Sequence, residues 1–140
     1  MKKFARAFTL AAAVAAFTAP AVAFAEDAGS TEKKNAFGRL TIDQVNELIA
    51  KKDGYIFDNN SKATYAKGHV PTAKWVAFND LTADDLPANK DAKLVFYCGD
   101  ERCGACHVAA RTAVDLGYKN VFIMPAGIAG WQKAKQKLEA

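Results

Sequence analysis

The sequence predicts an α/β fold, in which a mainly parallel sheet of five strands is flanked by helices on both faces. Three observations support this prediction. Short apolar segments typical of buried strands alternate along the chain with segments of helical periodicity. Residues 94–97 are apolar throughout, as strands buried on both faces of a parallel sheet usually are. Capping and helix-ending residues separate these segments and define where each one begins and ends.

The most clearly marked of the predicted helices lies at residues 41–52. Thr41 is a helix N-cap residue, and Gln44, three positions later, completes a capping box. Apolar residues then recur at the spacing of one helix face, and Asp53-Gly54 ends the helix. The other helical segments are a turn at 61–67, a short helix within 81–90 that Pro87 interrupts, a helix at about 104–116, and a last turn and helix within 127–137.

Five strands are predicted at 37–40, 55–57, 74–78, 93–97 and 120–124. In open parallel sheets, ligands bind at the carboxyl ends of the strands. Cys98 directly follows the fourth of these strands. We therefore expect a functional site at Cys98.

The first 25 residues have the pattern of a secretory signal peptide. Three cations within residues 2–6 precede an apolar run, and residues 23–25 (Ala-Phe-Ala) fit the small-x-small pattern of a cleavage site. The alternative is an uncleaved membrane anchor, for which the run is short. Residues 26–36 are small, polar and charged, which predicts a flexible leader before a folded domain at 37–140. We expect an exported, periplasmic protein with no membrane association after cleavage.

The charge of the chain gives no indication of a nucleic-acid partner. The whole chain has 19 lysine and arginine residues against 15 acidic residues. Three of the cations lie in the signal segment, which leaves 16 against 15 in the remainder. Because that remainder shows no cluster of positive charge in its sequence, we expect no nucleic-acid binding.

All three cysteines, Cys98, Cys103 and Cys106, lie within nine positions. An odd number in so short a stretch does not suit a set of stabilising disulfides and indicates a reactive site. Cys98 stands where a buried strand leads into a helix, so backbone N–H groups and the positive helix N-terminus are expected to favour its thiolate. The alternative is a buried cysteine that merely ends the strand.

The loop after Cys98 is expected to form a cradle for an anion or for the outer sulfur of a persulfide. Arg102 is a candidate contact for the anion, whereas Asp100 and Glu101 oppose it. Gly99 permits close approach of the backbone. The predicted substrate-binding residues are therefore Gly99, Asp100, Glu101, Arg102 and Cys103.

Five further motifs follow one another between residues 56 and 131. They are Asp58 after a strand, Tyr65 ahead of Gly-His-Val-Pro-Thr-Ala at 68–73, Tyr97-Cys98 at a strand end, Gly-Tyr-Lys-Asn-Val at 117–121, and Ala-Gly-Ile-Ala-Gly-Trp at 126–131. This series resembles the single-domain rhodanese (sulfurtransferase) family. It covers about two-thirds of the chain that follows the signal segment.

The resemblance implies that Cys98 is a catalytic nucleophile for sulfur transfer. Cys98 would take a sulfane sulfur from a thiosulfate-like donor as a persulfide and would pass it to a thiol or to cyanide. The resemblance implies no metal and no organic cofactor. Asp58 and His69 are expected to support the site, Asp58 by capping loop N–H groups and His69 by fixing its own turn through hydrogen bonds.

The sequence departs from the family pattern at several positions. Asn60 stands where the family has an arginine, and Thr72 replaces a glycine. The segment from Cys98 to Gly117 is longer by about two residues than in common members. Related phosphatases of the same fold need an arginine to close a longer loop, and Gly104 occupies that place here, which disfavours phosphatase activity.

The Cys103-Gly104-Ala105-Cys106-His107 segment permits other interpretations. A Cys-x-x-Cys pair at a helix start resembles a thioredoxin-type redox site, and with His107 it matches the attachment signature for c-type haem. Met124 or His69 would then be the second haem ligand. On the rhodanese fold, Cys103 or Cys106 is a possible redox partner that resolves a Cys98 persulfide. A non-catalytic binding module or thiol-redox module is the remaining alternative.

Overall fold

The computed structural model describes residues 36–140. The predicted signal peptide, and the predicted leader except for Ala36, lie outside the described residues. The strands are β1 (Gly38–Arg39), β2 (Tyr55–Asp58), β3 (Lys74–Trp75), β4 (Lys93–Tyr97) and β5 (Asn120–Ile123). The helices are α1 (Ile42–Lys51), α2 (Lys62–Lys67), α3 (Ala105–Asp115) and α4 (Gly127–Lys133), with a single 3-10 helix at Ala83–Asp85.

The five strands form one sheet in the order β1-β5-β4-β2-β3, and every pair of neighbours is parallel. β4 lies at the centre, with Phe96 aligned to Phe57 of β2 and to Ile123 of β5. The α/β fold class and the five-stranded sheet are confirmed. The sheet is parallel throughout, since each connection between neighbouring strands crosses over through a helix or a long loop.

Side chains of β4 alternate between two buried clusters, one on each face of the sheet. Leu94, Phe96 and Cys98 point to the face covered by α3. Val95 and Tyr97 point to the face covered by α1 and α4. The prediction of helices on both faces is therefore confirmed, and the cysteine that follows β4 belongs to the α3 side.

α1 begins as the capping box predicts. The Gln44 side chain accepts a hydrogen bond from the Thr41 N–H at 2.8 Å, and the Thr41 hydroxyl accepts one from the Gln44 N–H at 3.3 Å. The helix ends one residue earlier than the Asp53-Gly54 pair suggests, because Lys52 already adopts a left-handed conformation with φ of 52°. Its N–H bonds back to the last turn of the helix.

Two predicted elements are shorter than expected. The third strand ends at Trp75 rather than at residue 78, because the Asn59 side chain donates a hydrogen bond to the Val76 carbonyl at 3.2 Å. The helix predicted within 81–90 is reduced to a 3-10 turn, since Leu86 precedes Pro87 and is extended. Both segments still contribute apolar side chains to the core on the α3 side, namely Val76, Leu81 and Leu86.

The C-terminal segment leaves α4 and folds back over the domain. Lys135 has a φ of 53°, and the Trp131 indole donates to the Lys137 carbonyl at 2.8 Å. Glu139 then pairs antiparallel with His69 through two backbone hydrogen bonds. In the stretch from residue 36 to 140, none of the helices combines the length and the apolar character that a membrane crossing requires.

Candidate active site

Cys98 lies at the carboxyl edge of the sheet, immediately after the central strand β4. The neighbouring strand ends bring Asp58 and the two residues after it to one side of Cys98, and Met124 to the other. The Asn59 N–H donates to the Tyr97 carbonyl at 2.8 Å, and the Met124 N–H donates to the Phe96 carbonyl at 2.9 Å. Cys98 therefore lies at the carboxyl edge of the sheet, where the sequence predicts it.

The Cys98 sulfur is enclosed, with only 1% of the residue exposed. Its thiol has two acceptors within reach, the Cys106 sulfur at 3.3 Å and the Cys103 carbonyl oxygen at 3.3 Å. The backbone N–H of Cys106, in the first turn of α3, also faces this sulfur. Cys98 therefore meets the helix N-terminus as predicted, but the thiol of Cys106 shares the N–H groups of this first turn.

The protonation of this pair differs from the expectation that Cys98 is the thiolate. The hydrogen bond with Cys106, followed by burial, raises the pKa of the Cys98 thiol far above its usual value. The same hydrogen bond lowers the pKa of the Cys106 thiol, with help from the N–H groups of Cys106 and His107. The helix N-terminus thus favours an anion on Cys106 and leaves the proton on Cys98.

Loop N–H groups were expected to converge on Cys98, and the structure divides them among three sulfur atoms. The N–H groups of Gly99 and Ala105 face the Cys103 sulfur, although burial raises the pKa of that thiol overall. The Cys106 N–H faces Cys98, and it faces the Cys106 sulfur together with the N–H of His107. The site is accordingly a cluster of three cysteines around the first turn of α3.

The backbone of the cysteine loop is anchored by α4. The N–H of Ile128 donates to the Cys98 carbonyl at 2.9 Å, and the N–H of Ala129 donates to the Gly99 carbonyl at 3.0 Å. Gly127 makes this approach possible, since a Cβ atom there would lie 2.5 Å from the Gly99 oxygen. The N-terminal N–H groups of α4 are therefore used to hold the loop.

The outer part of the loop faces solvent. Cys103 N–H donates to the Asp100 carbonyl at 3.0 Å and closes a turn. The Arg102 side chain is 91% exposed and pairs with the Asp100 carboxylate at 3.0 Å. An open cleft of about 390 Å³ adjoins this turn, and it is lined by Asp100, Glu101, Arg102, Ala126, Ala129, Gly130 and Lys133.

A buried network of hydrogen bonds on the other face of the sheet also supports the cysteine loop. Asp58 is completely buried, and its carboxylate accepts hydrogen bonds from the Tyr97 hydroxyl and from the Asn60 N–H. The Tyr97 hydroxyl also accepts a bond from the Val70 N–H at 3.0 Å. Asp58 therefore caps a loop N–H as expected. Sequence reasoning missed Tyr97, although a buried tyrosine at a strand end needs a partner for its hydroxyl.

Asn60 lies beside the cysteine loop, in the place where the family pattern has an arginine. Its Oδ1 atom is 3.7 Å from the position that a Cβ atom on Gly99 would take. Its Nδ2 group is buried and has no hydrogen-bond partner within residues 36–140. The departure from the family pattern therefore leaves an uncharged donor next to the loop.

His69 lies in a separate network. Its ring stacks on Tyr65 with 3.8 Å between centroids, and Nδ1 is 3.0 Å from the Tyr65 carbonyl. Its backbone pairs with Glu139. His69 therefore fixes its own turn, as expected, and it also holds the C-terminal segment, which the sequence did not predict. Its hydrogen bonds do not involve the cysteines.

The geometry opposes attachment of a haem at the Cys-x-x-Cys-His segment. Cys106 is 2% exposed and points into the core beside Cys98, where it does not reach an external group. His107 packs edge-on against Phe37, and Met124 is buried in the cluster on the opposite face of the sheet. Among the residues from 36 onward, no group of three histidine, cysteine or acidic side chains is arranged to hold a metal ion.

Cys106 was predicted only as one of two possible partners, although its spacing contains a further signal. Cys106, Ala109, Ala110 and Ala113 recur at the period of one helix face, and all four are buried. Cys103 precedes α3 and is only partly buried. The helical period therefore identifies Cys106 as the cysteine that faces the core and Cys98.

The comparison with known families now decides the classification. The profile of the Rhodanese-like domain matches residues 41–134, which span β2 to β5 and the cysteine loop. The chain belongs to the rhodanese-like domain family. The sequence-based recognition of the family is therefore confirmed, and a thioredoxin-type fold is excluded by the parallel order of the sheet.

Proteins similar to this rhodanese-like domain include a relative named as a sulfurtransferase and several solved structures. The thiosulfate sulfurtransferase GlpE of Pseudoalteromonas translucida is 27% identical over 107 residues, which cover 74% of this chain and 98% of that protein. The crystal structure of the BH2092 protein from Bacillus halodurans superposes with a TM-score of 0.68 and 24% identity, and covers 77% of this chain and 80% of that one.

A third likeness is to the human single-domain sulfurtransferase TSTD1. It has a TM-score of 0.58 and 18% identity, and the match covers 68% of this chain and 95% of that one. At these identities the two structural likenesses show the fold alone.

Proposed function

We propose that this rhodanese-like domain is a sulfurtransferase or sulfane-sulfur carrier in which Cys98 takes up sulfur from a thiosulfate-like donor. The observation that carries the proposal is the position of Cys98, which ends the central strand and faces the first turn of α3. The relative named thiosulfate sulfurtransferase GlpE belongs to the same family and supports the choice of donor.

The proposed chemistry starts with the proton that Cys98 shares with Cys106. As the Cys98 sulfur attacks the sulfane sulfur of thiosulfate, its proton passes to Cys106 and sulfite leaves with the electron pair of the broken S–S bond. The product is a Cys98 persulfide anion. A thiolate or cyanide then takes the outer sulfur and returns Cys98 to the reduced state. Small sulfur anions and thiols are thus the proposed partners.

The loop provides the means to bind such an anion. Amide N–H groups of Gly99, Ala105 and Cys106 point toward the sulfur cluster, and the buried Asn60 amide offers a further donor. Arg102 and Lys133 bring positive charge to the adjoining cleft. Because Cys98 is enclosed, we infer that the exposed turn at residues 100–104 moves aside to admit the donor.

The enclosure of Cys98 also favours a second candidate, a non-catalytic rhodanese-like binding or thiol-redox module. A cysteine residue that is only 1% exposed reacts slowly with external reagents unless the loop opens. This candidate predicts an intact fold with no turnover.

The test is the formation of thiocyanate from thiosulfate and cyanide, together with the intact mass of the protein after exposure to thiosulfate alone. With an external dithiol present to keep the cysteines reduced, we expect turnover by the wild-type chain and none by Cys98→Ser. We also expect a reductant-sensitive gain of one sulfur atom in Cys106→Ser, in which a second thiol cannot remove it. A Cys98→Ser protein that gained the same mass would contradict the assignment, and a folded wild-type protein that neither forms thiocyanate nor releases sulfite from thiosulfate would favour the binding module.

We further propose that the domain acts in the periplasm, and the signal-like pattern of residues 1–25 supports this. The expected result is a secreted chain whose N-terminus is Glu26. Retention of the intact chain in the cytoplasm would contradict the proposal.

A further inference from the structure

The other two cysteines do not occupy equivalent positions around the Cys98 sulfur. Cys106 presents its own sulfur at 3.3 Å, from within the regular turn of α3. Cys103 presents its carbonyl oxygen at 3.3 Å, from the partly exposed turn that precedes the helix. Its thiol also interacts with that of Cys98, which partly offsets the rise in the pKa of Cys98 and adds to the rise in the pKa of Cys103 that burial causes. An S–S bond is about 2.04 Å long, so Cys106 needs to approach by roughly 1.3 Å to bond with Cys98.

We propose that Cys106 attacks the Cys98 persulfide and releases its outer sulfur as hydrosulfide, which leaves a Cys98–Cys106 disulfide. This inference rests on the proposed function, because the persulfide must form first. The site then reduces the sulfane sulfur to hydrosulfide in addition to transferring it. An external dithiol is then required to restore the two thiols for another cycle.

The atoms and electrons of the two steps balance. In the first step, Cys98 thiol, Cys106 thiolate and thiosulfate give Cys98 persulfide anion, Cys106 thiol and sulfite. In the second step, Cys106 sulfur bonds to the Cys98 sulfur and the bond between Cys98 and its outer sulfur breaks. That outer sulfur leaves with the electron pair and takes the Cys106 proton, so hydrosulfide forms. The sulfane sulfur gains two electrons, and the two cysteines lose them.

The surroundings of Cys106 suit this attack. The N–H groups of Cys106 and His107 stabilise its anion, and its pKa lies below the usual value. The sulfur is enclosed with Cys98 in the same buried cluster, where water and external thiols have little access. Cys106 lies on the buried face of α3, and Ala109 and Ala113 of the same face pack against the sheet. This packing orients Cys106 toward Cys98.

The experiment follows one round of reaction in the absence of oxygen. The fully reduced chain is mixed with thiosulfate and no external thiol, and hydrosulfide, intact mass and disulfide-linked peptides are measured. The variants are Cys106→Ser, Cys106→Ala and the matched control Cys103→Ser. A sample without thiosulfate shows whether any disulfide forms by itself.

We expect wild type and Cys103→Ser to release about one hydrosulfide per chain and to contain a disulfide that joins residues 98 and 106. Cys106→Ser and Cys106→Ala should retain the added sulfur and release none. The mapped disulfide in wild type and Cys103→Ser tests the proposal even if both Cys106 variants fail to fold.

Three results would overturn the inference. These are a wild-type chain that keeps its persulfide, a disulfide that involves Cys103, and hydrosulfide release that persists in the Cys106 variants. In each of these cases the sulfur has still been taken up, so the proposed function survives. If neither wild type nor any folded variant takes up sulfur, the proposed function and the inference both fail.

Discussion

Gly127 packs directly against the backbone of Cys98, with a Cβ atom at that position lying only 2.7 Å from the Cys98 carbonyl oxygen. This contact places the start of α4 under the cysteine loop, where Ile128 and Ala129 donate to the Cys98 and Gly99 carbonyls. Gly127 also has a φ of 60°, a conformation that other residues adopt at a cost.

Gly127→Ala is therefore expected to displace the cysteine loop and to lower the free energy of unfolding by roughly 1–3 kcal/mol from backbone strain alone. Denaturant unfolding and thiocyanate formation measure the two effects. Gly104→Ala is the matched control, because Gly104 has an ordinary φ of −87° and open space around it. Equal losses in both variants would show that the contact with α4 is unimportant.

Tyr97→Phe is expected to lower the free energy of unfolding by roughly 2–3 kcal/mol, because it removes a hydrogen bond to the buried Asp58 carboxylate and leaves the Val70 N–H without its acceptor. Chemical denaturation measures the loss. In the control Tyr118→Phe, the hydroxyl lost is bonded to the neutral Pro87 carbonyl, and about 1 kcal/mol is expected. A smaller loss for Tyr97→Phe than for Tyr118→Phe would contradict the importance of the Asp58 contact.

Cys98 should gain thiolate character when Cys106 is removed. The hydrogen bond with Cys106 is the main reason for the raised pKa of Cys98, so the titration of Cys98 is expected to move to lower pH in Cys103→Ser/Cys106→Ala than in Cys103→Ser. Ultraviolet absorbance of the thiolate as a function of pH measures this. An unchanged or higher titration point for Cys98 would disprove the coupling of the two thiols.

Sulfur uptake by wild type should become faster as the pH rises. In the proposed attack Cys106 accepts the proton of Cys98, so the reactive form has Cys106 deprotonated. Because the pKa of Cys106 lies below its usual value of 9.0, the rate should rise with pH and level off before that value. Stopped-flow measurement of sulfite release gives the rate. A rate that continues to rise above pH 9.0 would contradict this mechanism, because Cys98 would then have to lose its proton to solvent before it attacks.

Arg102→Glu is expected to raise the KM for thiosulfate roughly two- to fivefold, because it reverses an exposed charge at the cleft beside the loop. The effect should fade as salt is added. Arg111→Glu makes the same charge change on the exposed side of α3 and is expected to leave KM nearly unchanged. If both substitutions raise KM equally, Arg102 has no specific role at the cleft.

Local patterns in the sequence were sufficient for the fold class and for the order of the elements. The capping box at Thr41 and the apolar run of β4 depend on neighbours within a few residues, and both appear where expected. The helix predicted within 81–90 is limited locally by Pro87, whereas β3 ends at a long-range contact. The Asn59 side chain ends β3 by taking the Val76 carbonyl, which lies 17 residues away along the chain.

The sequence by itself determined that a cysteine follows the central strand at the carboxyl edge of the sheet, because strand periodicity and the turn after it are local properties. Only the tertiary structure decided which thiol faces Cys98 and which of the two holds the proton. Those facts depend on how α3 rotates against the sheet, and that rotation is set by close packing of its alanine face against β4 and β5. The physical reason is that a sulfur–sulfur contact of 3.3 Å and the direction of a helix N-terminus depend on how a helix packs on a sheet. The spacing of residues along the chain does not specify that packing.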